Sequence, residues 1–229
     1  SFADVLADKC RGEWSVGFGG SLDVDGLLSG NAVMSRWAVE ASESYVLECA
    51  DLRPKSLLYV RTGGFDVFST HLTRDPKGAA VRESQVMFID DVISSRSVEE
   101  SPLPPILAGD FNTPPEANAI RFLRGEVGLS GRGTFYQDAW AASGKGLGLT
   151  WDHRNPHTTA GYLYDGRIDY VFVGVPKAAP AGSGDEKPKY RSGQVIDAHI
   201  ACDFALTGTY ASDHYGVVAD IWCPTMPEY

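Results

Sequence analysis

Three apolar runs in the second half of the chain each meet an acid at one end, and that pattern narrows what the chain can fold into. The first, Pro105, Ile106, Leu107 and Ala108, stops at Gly109 and runs into Asp110, Phe111 and Asn112, with Pro114 and Pro115 close behind. This reads as a strand ending in a turn, where polar groups sit on a rigid edge and still face a cleft. Asp110 and Asn112 are two apart, so an extended backbone points both the same way and sends Phe111 into the core. In the second run Ile168, Tyr170 and Phe172 alternate with Asp169 and Val171, which sets a carboxylate among apolar neighbours on a core strand. In the third the order is reversed: Ser212, Asp213 and His214 come first, and an apolar strand over 217–222 follows.

Taken singly, Asp and Asn beside a strand are turn formers. Together with a histidine they suggest chemistry. A buried carboxylate needs a partner, and His214 is the natural one for Asp169. An Asp that accepts from one ring nitrogen fixes the tautomer and leaves the other nitrogen basic. Asp165, four residues earlier, is the alternative orienter. Adjacent side chains diverge on an extended backbone, so Asp213 can reach a metal while His214 reaches a water. Asp110 can hold a cation or a water, and the Asn112 amide can donate to a phosphoryl oxygen.

In order and spacing, residues 109–112 (GDFN), 167–171 (RIDYV) and 212–214 (SDH) resemble the endonuclease/exonuclease/phosphatase superfamily, the deoxyribonuclease-like and sphingomyelinase-like metal-dependent phosphoesterases. Residues 69–72 (STHL) and 30–36 (GNAVMSR) fit the same pattern. The resemblance implies that His214 is a general base for water, Asp169 its orienting partner, Asp110 a group that positions the water or the metal, and Asp213 a metal ligand. It also implies that Asn112 binds a phosphoryl oxygen and that His71 faces the phosphate from the opposite side. The implied cofactor is Mg2+ or Mn2+, which suits oxygen-rich ligand sets without thiolates. A histidine at position 71 points to the deoxyribonuclease-like and sphingomyelinase-like branch. The implied reaction is hydrolysis of a phosphodiester in a nucleic acid, a phospholipid head group or a small molecule. A non-catalytic member that binds a partner through the same cleft is the alternative. The superfamily also places an Asn-bearing strand and a Gln-Glu strand ahead of the helix-like residues 1–10. Neither is in the sequence, so residues 1–229 are read as a single, amino-terminally truncated domain.

Short strands are expected over 15–18, 31–35, 44–52, 56–61, 65–70 and 195–205, with helices over 79–94 and 115–124, the second capped by Thr113. Strands with a few helices between them predict an α+β fold, which the resemblance specifies as a four-layer α/β/β/α sandwich of two mostly antiparallel sheets. Residues 150–157 (TWDHRNPH) form a polar loop in which Asn155 or His153 is placed to touch a substrate head group. Pro156 between His153 and His157 rules against a helical zinc pair. Residues 174–194, rich in Gly, Pro and charge, read as a surface insertion without the apolar hairpin of a membrane-dipping enzyme.

A net charge of −10 argues against a broad basic surface for nonspecific nucleic-acid binding. Local clusters, Arg121 with Arg124 or Arg74 with Lys77 and Arg82, remain as candidates for receiving a polyanion. No apolar run has the length of a membrane-spanning helix. The four cysteines show no CxxC pair. Cys202 and Cys223, on two carboxy-terminal strands that can neighbour each other, are the pair that an oxidising compartment would bridge, with free buried thiols as the alternative.

Overall fold

The structure, a computed structural model, describes residues 12–24, 27–49, 54–96, 103–158, 164–175, 191–205 and 208–223. The expected helix over 1–10, most of the 174–194 insertion, and Cys10 lie outside the described residues.

Strands β1 (Ser15–Val24) and β2 (Leu27–Ser35) form an antiparallel hairpin. Strands β3 (Val39–Leu47), β4 (Lys55–Thr62), β5 (Phe65–His71), β6 (Ile106–Asp110), β7 (Gln137–Asp138) and β8 (Asp169–Val173) build one sheet in the order β3-β4-β5-β6-β8-β7. All its neighbours are antiparallel except β5 and β6. That parallel pair needs a crossover, which helix α1 (Ala79–Arg96) supplies. A second hairpin joins β9 (Gln194–Ala201) to β10 (Gly216–Trp222). Helix α2 (Asn118–Leu123) follows β6, and helix α3 (Ala139–Ser143) follows β7.

Side-chain alternation gives the large sheet two buried faces. Leu57, Tyr59, Phe68, Leu107, Tyr170 and Phe172 point to one face and pack with Val86, Ile89 and Ile93 of α1 and with Ile120 and Leu123 of α2. Leu58 and Val60 point to the other, where the β1–β2 hairpin lies across β3 and β4. Farther along that face Val173 packs with Val195 and Ala198 of β9 and Ala139 of α3. Helices, the large sheet, and the two hairpins thus stack as layers, a mixed α/β sandwich of the class expected from the sequence.

Several elements differ in extent from their expected bounds. The strand expected over 15–18 runs on through the glycines that follow Phe18. A Cβ on Gly17 would lie 2.5 Å from Val60 Cγ2, and one on Gly19 would lie 2.8 Å from Ser44 Oγ, so these glycines let the hairpin approach the sheet closely. Strand β3 begins five residues before its expected start because its first half, including Glu40, Ser42 and Glu43, is an exposed sheet edge, where polar side chains are tolerated. Helix α2 is shorter than predicted and starts after a turn closed by the Ala117 N–H on the Pro114 carbonyl. Its cap is Ala117 without a side-chain bond, not Thr113, which is buried below and accepts the Tyr170 hydroxyl through its carbonyl. Strand β7 and helix α3 are too short to leave a periodic signal.

Cys202 and Cys223 are free thiols. The β9–β10 register pairs Ala201 with Gly216 and Gln194 with Trp222, which puts the two cysteines at opposite ends of the ladder. Some seven residues at about 3.3 Å each separate them, far beyond the reach of a disulfide.

Candidate active site

The strand registers assemble the site. In the ladder His71 on β5 pairs with Asp110 on β6, and Asp110 pairs with Asp169 on β8. Directly paired residues of neighbouring strands project from the same face. His71, Asp110 and Asp169 therefore stand in a row at the edge of the sheet, on the side away from α1. Gly109 makes this edge possible: its φ is +147°, and a Cβ there would sit 1.9 Å from the Thr70 carbonyl oxygen. His214, just before β10, comes down on the row from the hairpin layer.

The contacts within the row are direct. His214 Nδ1 lies 2.8 Å from Asp169 Oδ2. A carboxylate only accepts, so Nδ1 carries the proton and, in the neutral ring, Nε2 is the basic nitrogen. Burial works against the imidazolium. The hydrogen bond to Asp169 and the negative charges of Asp169, Asp110 and Asp213 outweigh that penalty, and the His214 pKa is raised above the ordinary histidine value. The Trp151 ring meets the imidazole edge to face at 4.9 Å between centroids.

On the other side of the row His71 Nε2 is 3.4 Å from Asp110 Oδ2. Its side chain is 47% exposed, yet lost hydration first, then the positive charges of Lys55, His214 and Arg74, push its pKa down to about 4. The Asp110 carboxyl is moved the opposite way, above the usual carboxylate range, by burial and by the adjacent charge of Asp169. Lys55, at the start of β4, partly offsets this, and no sequence pattern singled it out.

Ligand atoms of Asp110, Asp169 and His214 all lie within 4.8 Å of one another. Of these groups, the two carboxylates are oxygen donors without thiolates nearby, which fits a hard divalent cation. The raised Asp110 pKa points the same way, because a cation would relieve the repulsion between the two acids. Asp213 lies outside this cluster. It is exposed, and its carboxylate accepts from the Ser212 hydroxyl at 3.2 Å.

Asn112 is placed differently from its expected role. Its φ is +51°, so the alternation that was to aim it beside Asp110 ends there, and the residue is only 4% exposed. Its Nδ2 donates to the Leu72 carbonyl and to Asp110 Oδ2, both at 3.0 Å, while its N–H donates to Asp110 Oδ1 at 2.8 Å. The amide holds Asp110 from below, with its protons bonded to the Leu72 carbonyl and to Asp110 in place of the expected phosphoryl contact. Asn155 is likewise 1% exposed and donates to the Ser212 carbonyl at 2.8 Å. It braces the His214 segment from a buried position. His153 is exposed and bonds Asp165 through both its N–H and Nδ1. This pair occupies Asp165, leaving Asp169 as the partner of His214. Three arginines of the basic clusters are also committed within the protein. Arg82 is buried and donates to the Thr73 and Asp75 carbonyls, while Arg121 and Arg124 both pair with Glu126.

The sequence profile of the Endonuclease/Exonuclease/phosphatase family matches residues 5–214 of the chain. Among solved structures, an endonuclease/exonuclease/phosphatase from Bacteroides vulgatus superposes with a TM-score of 0.65 at 18% identity, covering 96% of this chain and 80% of that one. Zebrafish (D. rerio) TDP2 in complex with a single-strand DNA product gives a TM-score of 0.65 at 21% identity, with 95% and 80% coverage. A family protein from Leptotrichia buccalis gives 0.60 at 16% identity, with 96% and 76% coverage. At these identities the likeness is one of fold. A search of curated proteins finds no match.

Proposed function

The chain belongs to the endonuclease/exonuclease/phosphatase family, whose members generally hydrolyse phosphoester bonds, and from that premise we propose that it is a divalent-metal-dependent phosphodiesterase. The observation that carries this reading is the row of His71, Asp110 and Asp169 closed by the 2.8 Å contact between Asp169 and His214. A diester phosphorus is shielded by its own negative oxygens, so the protein must activate a water on one side and stabilise charge on the other. His214 Nε2 takes the proton of the attacking water, and Asp169 holds the imidazolium that results. His71, kept neutral at physiological pH, faces the phosphate from the opposite side and donates a hydrogen bond to the oxygen where charge collects. Asn112 fixes the orientation of Asp110. The cation, Mg2+ or Mn2+, would be held by Asp110 with Asp169 beside it and Asp213 at the rim. When bound, it supplies charge neutralisation for the phosphoryl oxygens.

The substrate class is a phosphodiester. The DNA product held by the TDP2 relative supports a nucleic-acid strand as one form of it. The net charge of −10 favours recognition at the cleft over a broad electrostatic footprint. The test is hydrolysis of bis(p-nitrophenyl) phosphate by the full-length protein with Mg2+ or Mn2+. The reading expects metal-dependent turnover that His214→Ala lowers by about 100-fold or more with the fold intact by circular dichroism. Equal turnover in the variant removes His214 from the chemistry. No turnover on any diester supports a non-catalytic binding role.

A further inference from the structure

Residues 150–158 hold the segment that carries His214 at four consecutive positions. Asn155 Nδ2 donates to the Ser212 carbonyl at 2.8 Å, and the Thr158 hydroxyl donates to the Asp213 carbonyl at 3.2 Å. The Trp151 ring packs on the His214 imidazole, and the Tyr215 N–H donates to the Thr150 carbonyl at 2.8 Å. The same stretch reaches the other half of the pair through Thr150. Its hydroxyl oxygen accepts from the N–H groups of Ile168 at 3.0 Å and Asp169 at 3.1 Å. Its own N–H donates to the Gly166 carbonyl at 3.1 Å, and the residue is fully buried.

One side chain and its carbonyl therefore touch the backbone of Asp169 and the residue next to His214. Asp169 is the first residue of β8: the carbonyl side of the 168–169 peptide is held by the Phe111 N–H at 2.8 Å, and its amide side rests on Thr150. A pivot of that peptide would swing the carboxylate away from Nδ1. We propose that Thr150 is a positioning residue for the phosphoester chemistry, setting the distance and angle at which Asp169 meets His214. The proposal rests on the reading of His214 as the base. It assigns to Thr150 more than the satisfaction of two buried amides: loss of its acceptor should slow the reaction without weakening substrate binding.

The test compares Thr150→Val, which keeps the shape and removes the acceptor, with Thr150→Ser, which keeps the hydroxyl. Both are assayed in the full-length protein on bis(p-nitrophenyl) phosphate with Mn2+. The valine variant is expected to lose about 10-fold or more in kcat with KM within about twofold, and the serine variant to stay within about threefold of wild type. In an Asp169→Asn background the valine substitution should cost less than about twofold, because the contact it maintains is already gone. The 15N shifts of the His214 ring, read without substrate, should show the Nδ1–H tautomer in wild type and serine variant and a tautomer mixture in the valine variant. If the valine variant does not fold, Thr150→Ala is read the same way. Unchanged kcat in the valine variant, an equal loss in the Asp169→Asn background, or an unchanged ring pattern would each overturn the proposal. If wild type hydrolyses no diester, the proposed function fails and the ring pattern alone decides on Thr150.

Discussion

Arg167 and Asp138 form a buried bidentate pair two residues before Asp169, and replacing one of them gives a sharp test of what holds the site's central strand. Arg167 Nη1 and Nη2 donate to Asp138 Oδ1 and Oδ2 at 2.8 and 2.9 Å, and the side chains are 5% and 2% exposed. The guanidinium also stacks over the Tyr170 ring at 4.5 Å. In Arg167→Met the Asp138 carboxylate stays buried, with the Ala141 N–H at 3.2 Å as its remaining hydrogen-bond donor among the described residues. Stranding one member of a buried pair costs about 3–5 kcal/mol, and the lost cation–π contact adds roughly 0.5–2 kcal/mol. For a chain of 229 residues the pair loss alone lowers Tm by about 6–20 °C. The assay is thermal and urea unfolding of Arg167→Met, Asp138→Leu and the double variant. The double variant should recover much of the loss, because two apolar residues leave no buried charge. Single losses below about 1 kcal/mol, or a double variant as unstable as the two singles added together, would refute the reasoning.

Gly109→Ala should destabilise the fold by more than the roughly 1–3 kcal/mol of backbone strain at its φ, because its Cβ would also strike the Thr70 carbonyl; urea midpoints check this. The raised His214 pKa has a kinetic sign. The ring is an imidazolium below that value and a base above it, so kcat/KM should rise with pH through a midpoint above the usual 6.5. Asp169→Asn, which removes the hydrogen bond and charge that raise it, should move that midpoint down and lower the plateau by about 100-fold or more, as read from the pH profile. A divalent cation at about 100 times its Kd should stabilise the protein by about 2.7 kcal/mol. Excess EDTA should reverse the Tm gain, and Asp110→Asn should abolish it.

The core of the site was legible because it depends on strand periodicity. Asp169 among alternating apolar residues had to face away from Tyr170 and Phe172, and a histidine at a strand entry was its natural partner. The fold class followed from the same alternation. What escaped depends on contacts distant in sequence. Asn112 is fixed by a carbonyl 40 residues earlier and by a left-handed backbone that strand logic does not anticipate. Gly19, just past the expected strand end at Phe18, resembled a turn because composition cannot tell a glycine that bends the chain from one that admits a neighbouring side chain. Asn155 and Thr150 sit in a polar loop whose side chains look like substrate contacts until the 212–215 segment is seen bonded to them. The short β7 and α3 owe their places to the Asp138–Arg167 pair and to packing on β9, neither of which leaves a pattern in sequence.

Whether His71 and His214 address one phosphorus atom across a cation held by Asp110 decides the proposed function. A crystal structure of the full-length protein soaked with Mn2+ and inorganic phosphate measures this directly. The predicted result is a metal ion on the Asp110 carboxylate and a phosphate within hydrogen-bond distance of both imidazoles. A phosphate bound away from the two rings, or Mn2+ without a ligand from Asp110, would contradict it.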